Sequence, residues 1–429
     1  MLLMNQLIAY LDGINFFKGN QFGFLQHSNC EMAALQLVNW IKAHFKKQFV
    51  TCVFVDLRRA FDTVEPKRLA RKLKRLGLSV KAVKLMLSYL QGRTTATTLG
   101  GNKSDFCKVD VGVAQGSKIG PLHFLIYVND MLELNLYGKL ILYADDAVLA
   151  YACDDWTELQ VVMQHDADVL NDWLCRNVLT LNVDKTKHMT FGKSNSMPDI
   201  LFQFDGKSID RVRQFKYLGL VLDEVLSFHD HIDHVKRQLI PFIPTMWRSG
   251  KFIPICKRKE IYFAYVQSHL QYMISIYSEC ATYKLNELFV IQKRCIKALF
   301  RLPKLTSSTY LFSNRLLPLN ELVTVERVML IHKMTHHRIK HNFTFPSNHD
   351  VHGRITRNGM DIHLFNPWSA KNIDDENAST ALLNAVIDYN HYNRRLLDIN
   401  GVKSYKDKLK VLVLQRQGKP VISPYVFIN

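Results

Sequence analysis

What the chain lacks narrows its class first. None of its eight cysteines, at positions 30, 52, 107, 153, 175, 256, 280 and 295, forms a Cys-x-x-Cys pair or joins histidines at zinc spacing. Structural zinc is therefore not expected, and the pattern fits a reducing compartment, with Cys52 and Cys153 as small core residues. The N-terminus has no basic start followed by an apolar block, so it does not read as a signal peptide. No run of about 18 apolar residues occurs, which leaves no candidate membrane-spanning helix. Internal repeats and low-complexity tracts are missing as well. Acids are scarce beside bases, 38 against 56, for a formal net charge of +18. A surplus of that size points to a polyanionic partner, nucleic acid before membrane. An incidentally basic protein is the plainer alternative. The 429 residues, 48% of them hydrophobic, suffice for two or three domains with cores of their own.

What is present is organised around Leu140 to Ala152, Leu-Ile-Leu-Tyr-Ala-Asp-Asp-Ala-Val-Leu-Ala-Tyr-Ala. Apolar, β-prone residues flank a bare Asp145-Asp146 pair, which predicts a buried β-hairpin with two carboxylates at its tight turn. Neighbouring carboxylates repel, and burying them costs several kcal/mol unless a cation or proton compensates. An Asp-Asp turn facing solvent is the bland alternative. A third acid weighs against it. The apolar run Phe49 to Val55 reads as another strand and ends at Asp56, with a helix-compatible Phe61-Asp62 following. Two strand ends that each present acid suggest a divalent-metal site. Hard cations such as Mg²⁺ take carboxylates together with substrate phosphates and water, and two of them can stabilise both oxygens of a phosphoryl transfer.

Around these strands the chain alternates helical and turn signals. Met1 to Leu11 is apolar at helical spacing with no lead-in, as in the middle of a domain, and Gln21-Phe22-Gly23-Phe24 is a turn. Ser28 to Glu31 has the Ser-x-x-Glu capping-box pattern for a helix carrying Ala34, Val38, Ile41 and Phe45 on one face. Residues 63–90 read as two helices parted near Gly77. The first bears Lys67, Arg68, Arg71, Lys72, Lys74 and Arg75, either a solvated face or a phosphate-backbone contact. Strands are expected over 93–111 with a turn at Gly100-Gly101-Asn102. The run Gly112 to Pro121 marks a special backbone, with a helix from about Pro121 to Met131. Residues 156–177 form an amphipathic helix with Leu159, Met163, Leu170 and Trp173 inward, and Phe215 to Leu222 a strand pair around Gly219. Val235 to Lys259 holds seven Lys/Arg and no acid, and 284–304 reads as a helix with six Lys/Arg and one Glu. This basic middle region suits a nucleic-acid cradle, or else is scattered solvated charge.

Five blocks in order carry a resemblance. They are Phe54-Val55-Asp56-Leu57-Arg58-Arg59-Ala60-Phe61-Asp62; Gly112-Val113-Ala114-Gln115-Gly116-Ser117 with Gly120-Pro121-Leu122; Tyr143-Ala144-Asp145-Asp146; Leu181-Asn182-Val183-Asp184-Lys185-Thr186; and Phe215-Lys216-Tyr217-Leu218-Gly219. Together they resemble the reverse transcriptases of non-LTR retrotransposons, of the LINE type and the jockey-like group, firmly over 20–225 and more loosely to the end. The resemblance implies an α+β fold. Residues 1–225 would form partial fingers and a right-hand polymerase palm, 226–345 a helical, basic thumb, and 346–429 a mostly helical tail. It implies that Asp56, Asp145 and Asp146, with the Leu57 carbonyl, hold two Mg²⁺ ions, for which Mn²⁺ could substitute. Lys185 would approach the triphosphate as general acid. Phe61 would exclude a 2′-hydroxyl while also serving as a core aromatic. Gln115, Gly116 and Tyr143 would meet nucleotide or template, and Tyr217, Leu218 and Gly219 would form a primer grip. The implied partners are an RNA template, a DNA primer and dNTPs, with no membrane. The implied setting is intracellular, in the nucleus or a cytoplasmic ribonucleoprotein.

The departures are Ala114 where the family usually has proline and His123 where it usually has leucine. The family's preceding fingers strands and upstream endonuclease are absent, so the chain reads as an N-terminally truncated copy or a partial gene model. Three functions compete on sequence: an RNA-directed DNA polymerase, a catalytically dead remnant that only binds RNA or DNA, and a fragment without a stable fold. Group II intron maturases and telomerase share the acids but not the thumb and tail.

Overall fold

Phe49–Val55 is a strand because every residue in it is apolar or β-branched, and all but Phe49 are buried. A run buried on both faces belongs in the middle of a sheet. It lies between Asp146–Cys153 and Lys187–Phe191, and Lys139–Tyr143 pairs with the outer side of Asp146–Cys153. All pairings in this four-stranded sheet are antiparallel. Thr51 and Thr190 are buried cross-strand neighbours, their hydroxyl oxygens 3.0 Å apart.

The computed structural model describes residues 2–17, 19–192, 201–312, 316–336, 339, 380–393, 395–396 and 402–415. The chain gathers into two compact units, 1–33 with 44–213, and 34–43 with 214–429. In the first, the helix Trp156–Arg176 packs on Asp146–Cys153. Leu159, Met163, Leu170 and Trp173 are buried as their spacing requires, and Asp155 caps the helix by accepting from the Glu158 N–H. Pro66–Arg75 and Val80–Ser88 are the two expected helices, separated by Gly77 at φ +86°. The ribbon over 93–109 turns at Gly100-Gly101, both at positive φ. Gly120–Val128 is helical from its Pro121 start, and Asn129–Glu133 tightens into a 3₁₀ turn, so Met131 lies beyond the α-helix.

Two local expectations need correction. The helix Cys30–His44 is capped by Asn29, whose Oδ1 accepts from the Met32 N–H at 2.9 Å, and not by Ser28, whose buried hydroxyl has no partner. Asparagine caps as well as serine does, and one residue of slip satisfies the same amide. The basic helix Pro66–Arg75 is neither wholly solvated nor wholly available to phosphate. Arg68 bonds Glu65 and the Arg176 carbonyl, and Lys72 pairs with Asp130 at 2.8 Å over the Tyr127 and Trp173 rings. Lys67, Arg71, Lys74 and Arg75 stay exposed.

The second unit opens on the hairpin Gln214–Tyr217 and Leu220–Asp223. The Asp223 carboxylate accepts from the backbone N–H groups of Val225, Ser227 and Phe228, tightening the chain before the helix His229–Leu239. That helix and Phe242–Ser249 pack on Thr282–Phe300, which ends at Arg301 in the left-handed region and not at residue 304. Part of its basic charge is neutralised internally: Lys236 bonds Glu287 at 2.6 Å, and Lys284 bonds Asp233. Leu319–Thr335 packs with the helices Thr380–Asn393 and Val402–Gln415. The remaining tail positions, including 346–379 and 416–429, lie outside the described residues. Among the described residues no helix is long and apolar enough to cross a membrane.

Candidate active site

The register of the sheet assembles the acids. Val55 pairs with Ala147, so Asp56, the next residue, comes level with Asp146. Tyr143 pairs with Asp146 across the hairpin, leaving Ala144 and Asp145 as a two-residue turn, with Ala144 left-handed at φ +58°. Three carboxylates thus meet at one end of two adjacent strands. Loss of hydration on partial burial raises the Asp145 carboxyl, and the charge of Asp56 raises it further, while a backbone hydrogen bond opposes both. Asp145 is half-buried and Asp146 exposed, yet partial loss of hydration at the turn, then the charges of Asp145 and Asp56, push Asp146 up to about 6, with Lys185 opposing. Gathered like charges of this kind are relieved by a cation.

The donors are all oxygens, which suits Mg²⁺ or Mn²⁺ and not a soft metal. Among the described residues no group of three or more His, Cys, Asp or Glu side chains is placed to hold a metal ion by itself. An open set of carboxylates fits a hard cation that keeps waters and substrate phosphates among its ligands. The backbone beside Asp56 is held by the neighbouring loop: Asn182 N donates to Asp56 O at 2.8 Å, Arg58 N to Thr180 O at 2.8 Å, and Asp56 N to Thr186 Oγ1 at 3.2 Å. The Leu57–Leu181 bridge is framed by these bonds, which pass over the Leu57 carbonyl itself. Lys185 follows in the same loop, its side chain exposed and its charge felt by Asp146.

Phe61 stacks on Phe124, with centroids 4.3 Å apart, and meets Phe24 edge-on at 6.0 Å. It is half-buried, so one ring serves the core and stays partly exposed. Gln115 donates to Asp62 at 2.9 Å, linking the glycine-rich turn to the short helix that carries Phe61. Gly112 is obligatory there: its φ is +82°, and a Cβ would sit 2.7 Å from the Asp62 carbonyl oxygen. Gly116, at φ +77°, would meet nothing within 4 Å, so its requirement is conformational. The Tyr143 hydroxyl is pushed up to about 12 by burial, then by its hydrogen bond to Cys30 and the charge of Asp146.

Sequence reasoning missed three supports. Arg93 donates to Leu90 O, Val111 O and Gly112 O, clamping the start of the glycine turn. Thr186 was seen only as part of a block and holds the Asp56 amide. Gln21, read as a turn residue, accepts from the Ala144 N–H. No signal at the level of spacing marks any of them, because the contact each makes to the site, Arg93 to Gly112, Thr186 to Asp56 and Gln21 to Ala144, joins residues well apart in the chain.

Tyr217, Leu218 and Gly219 lie in the second unit. Leu218 and Gly219 form the hairpin turn at φ +46° and +88°. The Tyr272 hydroxyl donates to Leu218 O at 2.6 Å, and a Cβ on Gly219 would strike the Tyr272 ring at 2.9 Å. Beside this turn is an open cleft of about 450 Å³ lined by Lys216, His231, His234 and His269 among others. His231 Nδ1 accepts from the Val221 N–H, which fixes the ring against the hairpin. Burial, then the charges of His234 and Lys216, hold His231 down at about 3.

Residues 2–222, just over half of the chain, match the family described as "Reverse transcriptase (RNA-dependent DNA polymerase)". The chain is 28% identical over 315 residues to the RNA-directed DNA polymerase from mobile element jockey of Drosophila funebris, covering 70% of this chain and 34% of that one. It is 27% identical over 322 residues to the probable RNA-directed DNA polymerase from transposon BS of Drosophila melanogaster, covering 72% and 35% respectively. Among solved structures, apo telomerase from Candida tropicalis is similar at a TM-score of 0.41 and 13% identity, over 76% of this chain and 52% of that one. The chain spans about a third of the length of the curated relatives it matches. With its five blocks in order over the matched residues, the chain belongs to the reverse transcriptases, among those of non-LTR retrotransposons.

Proposed function

We propose that this chain carries out RNA-directed DNA synthesis, with residues 1–225 as fingers and palm and residues 226–345 as thumb. The observation that carries the reading is the register that sets Asp56 level with Asp146 beside the Asp145 turn. Bound by these carboxylates and the Leu57 carbonyl, divalent cations would supply Lewis-acid activation of a primer 3′-hydroxyl and neutralise charge on the departing pyrophosphate. The 3′-hydroxyl gives its proton to water, its oxygen bonds the α-phosphorus, and the bond from that phosphorus to the oxygen bridging to the β-phosphate breaks to release pyrophosphate. Lys185 stands on the loop beside Asp146 and is assigned the proton given to that leaving group. The partly exposed ring of Phe61 is assigned the ribose, where an aromatic ring would clash with a 2′-hydroxyl. The Gln115–Gly116 turn and Tyr143 are assigned the incoming nucleotide and template base. The Tyr217–Leu218–Gly219 turn, beside a cleft that offers Lys216, is assigned the primer strand. RNA template, DNA primer and dNTPs are the partners this requires, and the exposed Lys67, Arg71, Lys74 and Arg75 add phosphate-seeking charge.

The test is primer extension on poly(A)/oligo(dT) by the purified chain in Mg²⁺ and then Mn²⁺, beside an Asp145→Ala/Asp146→Ala double variant. Extension by wild type alone, with at least a 100-fold loss in the variant, is expected. Duplex binding without extension in either metal would leave a nucleic-acid-binding remnant and sink the catalytic assignment.

A further inference from the structure

Asp145 stands at a turn that its own strands do not fully explain. Two-residue hairpin turns favour glycine or asparagine where the backbone is left-handed, and here the residue is Ala144, at φ +58°. What holds it comes from more than a hundred residues away. Gln21 is 2% exposed, and its Oε1 accepts from Ala144 N at 3.1 Å and from Gly23 N at 2.9 Å. Backbone bonds bracket this contact: Leu142 N donates to Asn20 O at 2.8 Å, and Phe22 N to Leu142 O at 2.9 Å. Gly23 presses on the same turn so closely that a Cβ there would lie 2.3 Å from Ala144 N. The segment 20–23 is therefore a strap across the residue immediately before Asp145.

We infer that Gln21 is a positioning residue, holding Ala144 in its left-handed conformation and thereby setting the Asp145 carboxylate for a divalent cation. The inference rests on the reading of Asp145 as a cation ligand. Partners that orient a ligand from behind are worth about 10- to 100-fold in metal affinity. A shift of Ala144 passes directly to the Asp145 backbone, because the two share a peptide bond.

The test measures Mn²⁺ binding to the full chain by the paramagnetic resonance of free Mn²⁺, at a temperature where circular dichroism matches the wild type. Asp145→Ala defines the site. Gln21→Met removes the accepting oxygen at nearly constant volume. Gln21→Asn keeps a buried amide but draws it back by one methylene, and serves where the methionine variant does not fold. Gln21→Glu keeps an accepting oxygen, ionised or neutral. About tenfold weaker binding is expected for Met and Asn, and binding within about threefold of wild type for Glu. A folded Met or Asn variant that binds Mn²⁺ as the wild type does overturns the inference while the metal site stands, and so does a Glu variant as impaired as Met. Wild-type binding in Asp145→Ala overturns the metal reading and the inference together.

Discussion

His123→Leu should stabilise the protein, and by more in acid than at neutral pH. His123 lies on the helix Gly120–Val128, is wholly buried, and neither ring nitrogen has a hydrogen-bond partner. Its neighbour is the Tyr89 ring, edge-on at 6.3 Å. Burying an unpaired polar group costs about 1–3 kcal/mol, and leucine fills a similar volume without that cost. A second contribution depends on pH. Burial lowers the His123 imidazole from 6.5 to about 4. Between those values the unfolded chain takes up a proton that the folded chain refuses, so stability is full above pH 6.5 and falls as pH drops towards 4. The gap corresponds to about 3 kcal/mol in all, and to about 2 kcal/mol by pH 5, at about 1.36 kcal/mol per pH unit. Urea unfolding of the first unit at pH 7.5 and pH 5.0 reads both contributions. The variant should lead by about 1–2 kcal/mol at pH 7.5, and the lead should widen by about 2 kcal/mol at pH 5.0. Other buried histidines are common to both proteins and cancel in the difference. An equal lead at both pH values would refute the account of burial, and a less stable variant would refute the whole argument.

Two further outcomes follow from single contacts. Asn29→Ala should cost about 1 kcal/mol by thermal melting, while Ser28→Ala should cost nothing and stabilise slightly, because only Asn29 accepts from the Met32 N–H and the buried Ser28 hydroxyl has no partner; a loss at Ser28 would restore it as the cap. Thr51→Val and Thr190→Val should each cost about 1–2 kcal/mol by leaving one buried hydroxyl alone, and the double variant should cost less than the sum of the singles. Strict additivity in that cycle would mean that the two hydroxyls do not bond.

Much of the site was legible in the sequence because its parts are local. Seven consecutive apolar or β-branched residues specify Phe49–Val55 wherever they pack, and the acids sit at its end and at the centre of the Leu140–Ala152 hairpin by chain adjacency alone. The helix Trp156–Arg176 was legible through its 3.6-residue period. The cap at Cys30–His44 was misplaced by one residue, because Ser28 and Asn29 are equivalent in local chemistry and only the folded backbone selects between them. The fate of the basic residues was half legible. Charge counts predict a polyanion partner, but whether Lys72, Lys236 or Lys284 meets a phosphate or an internal carboxylate depends on which acid the fold brings alongside.

The sequence by itself determined the chemistry of this protein: three carboxylates on strand ends, a glycine-rich turn that only positive φ permits, and a surplus of positive charge. Those properties belong to residue types and short spacings, and folding does not alter them. Only the tertiary structure decided how the pieces are held. It set Asp56 level with Asp146 through the register of one strand pair, clamped the Gly112 turn with Arg93, and strapped Ala144 with Gln21. Each of those contacts joins residues from about twenty to more than a hundred positions apart. A hydrogen bond formed across such a distance leaves no periodicity in the chain, because its partners become neighbours only when the intervening core has packed.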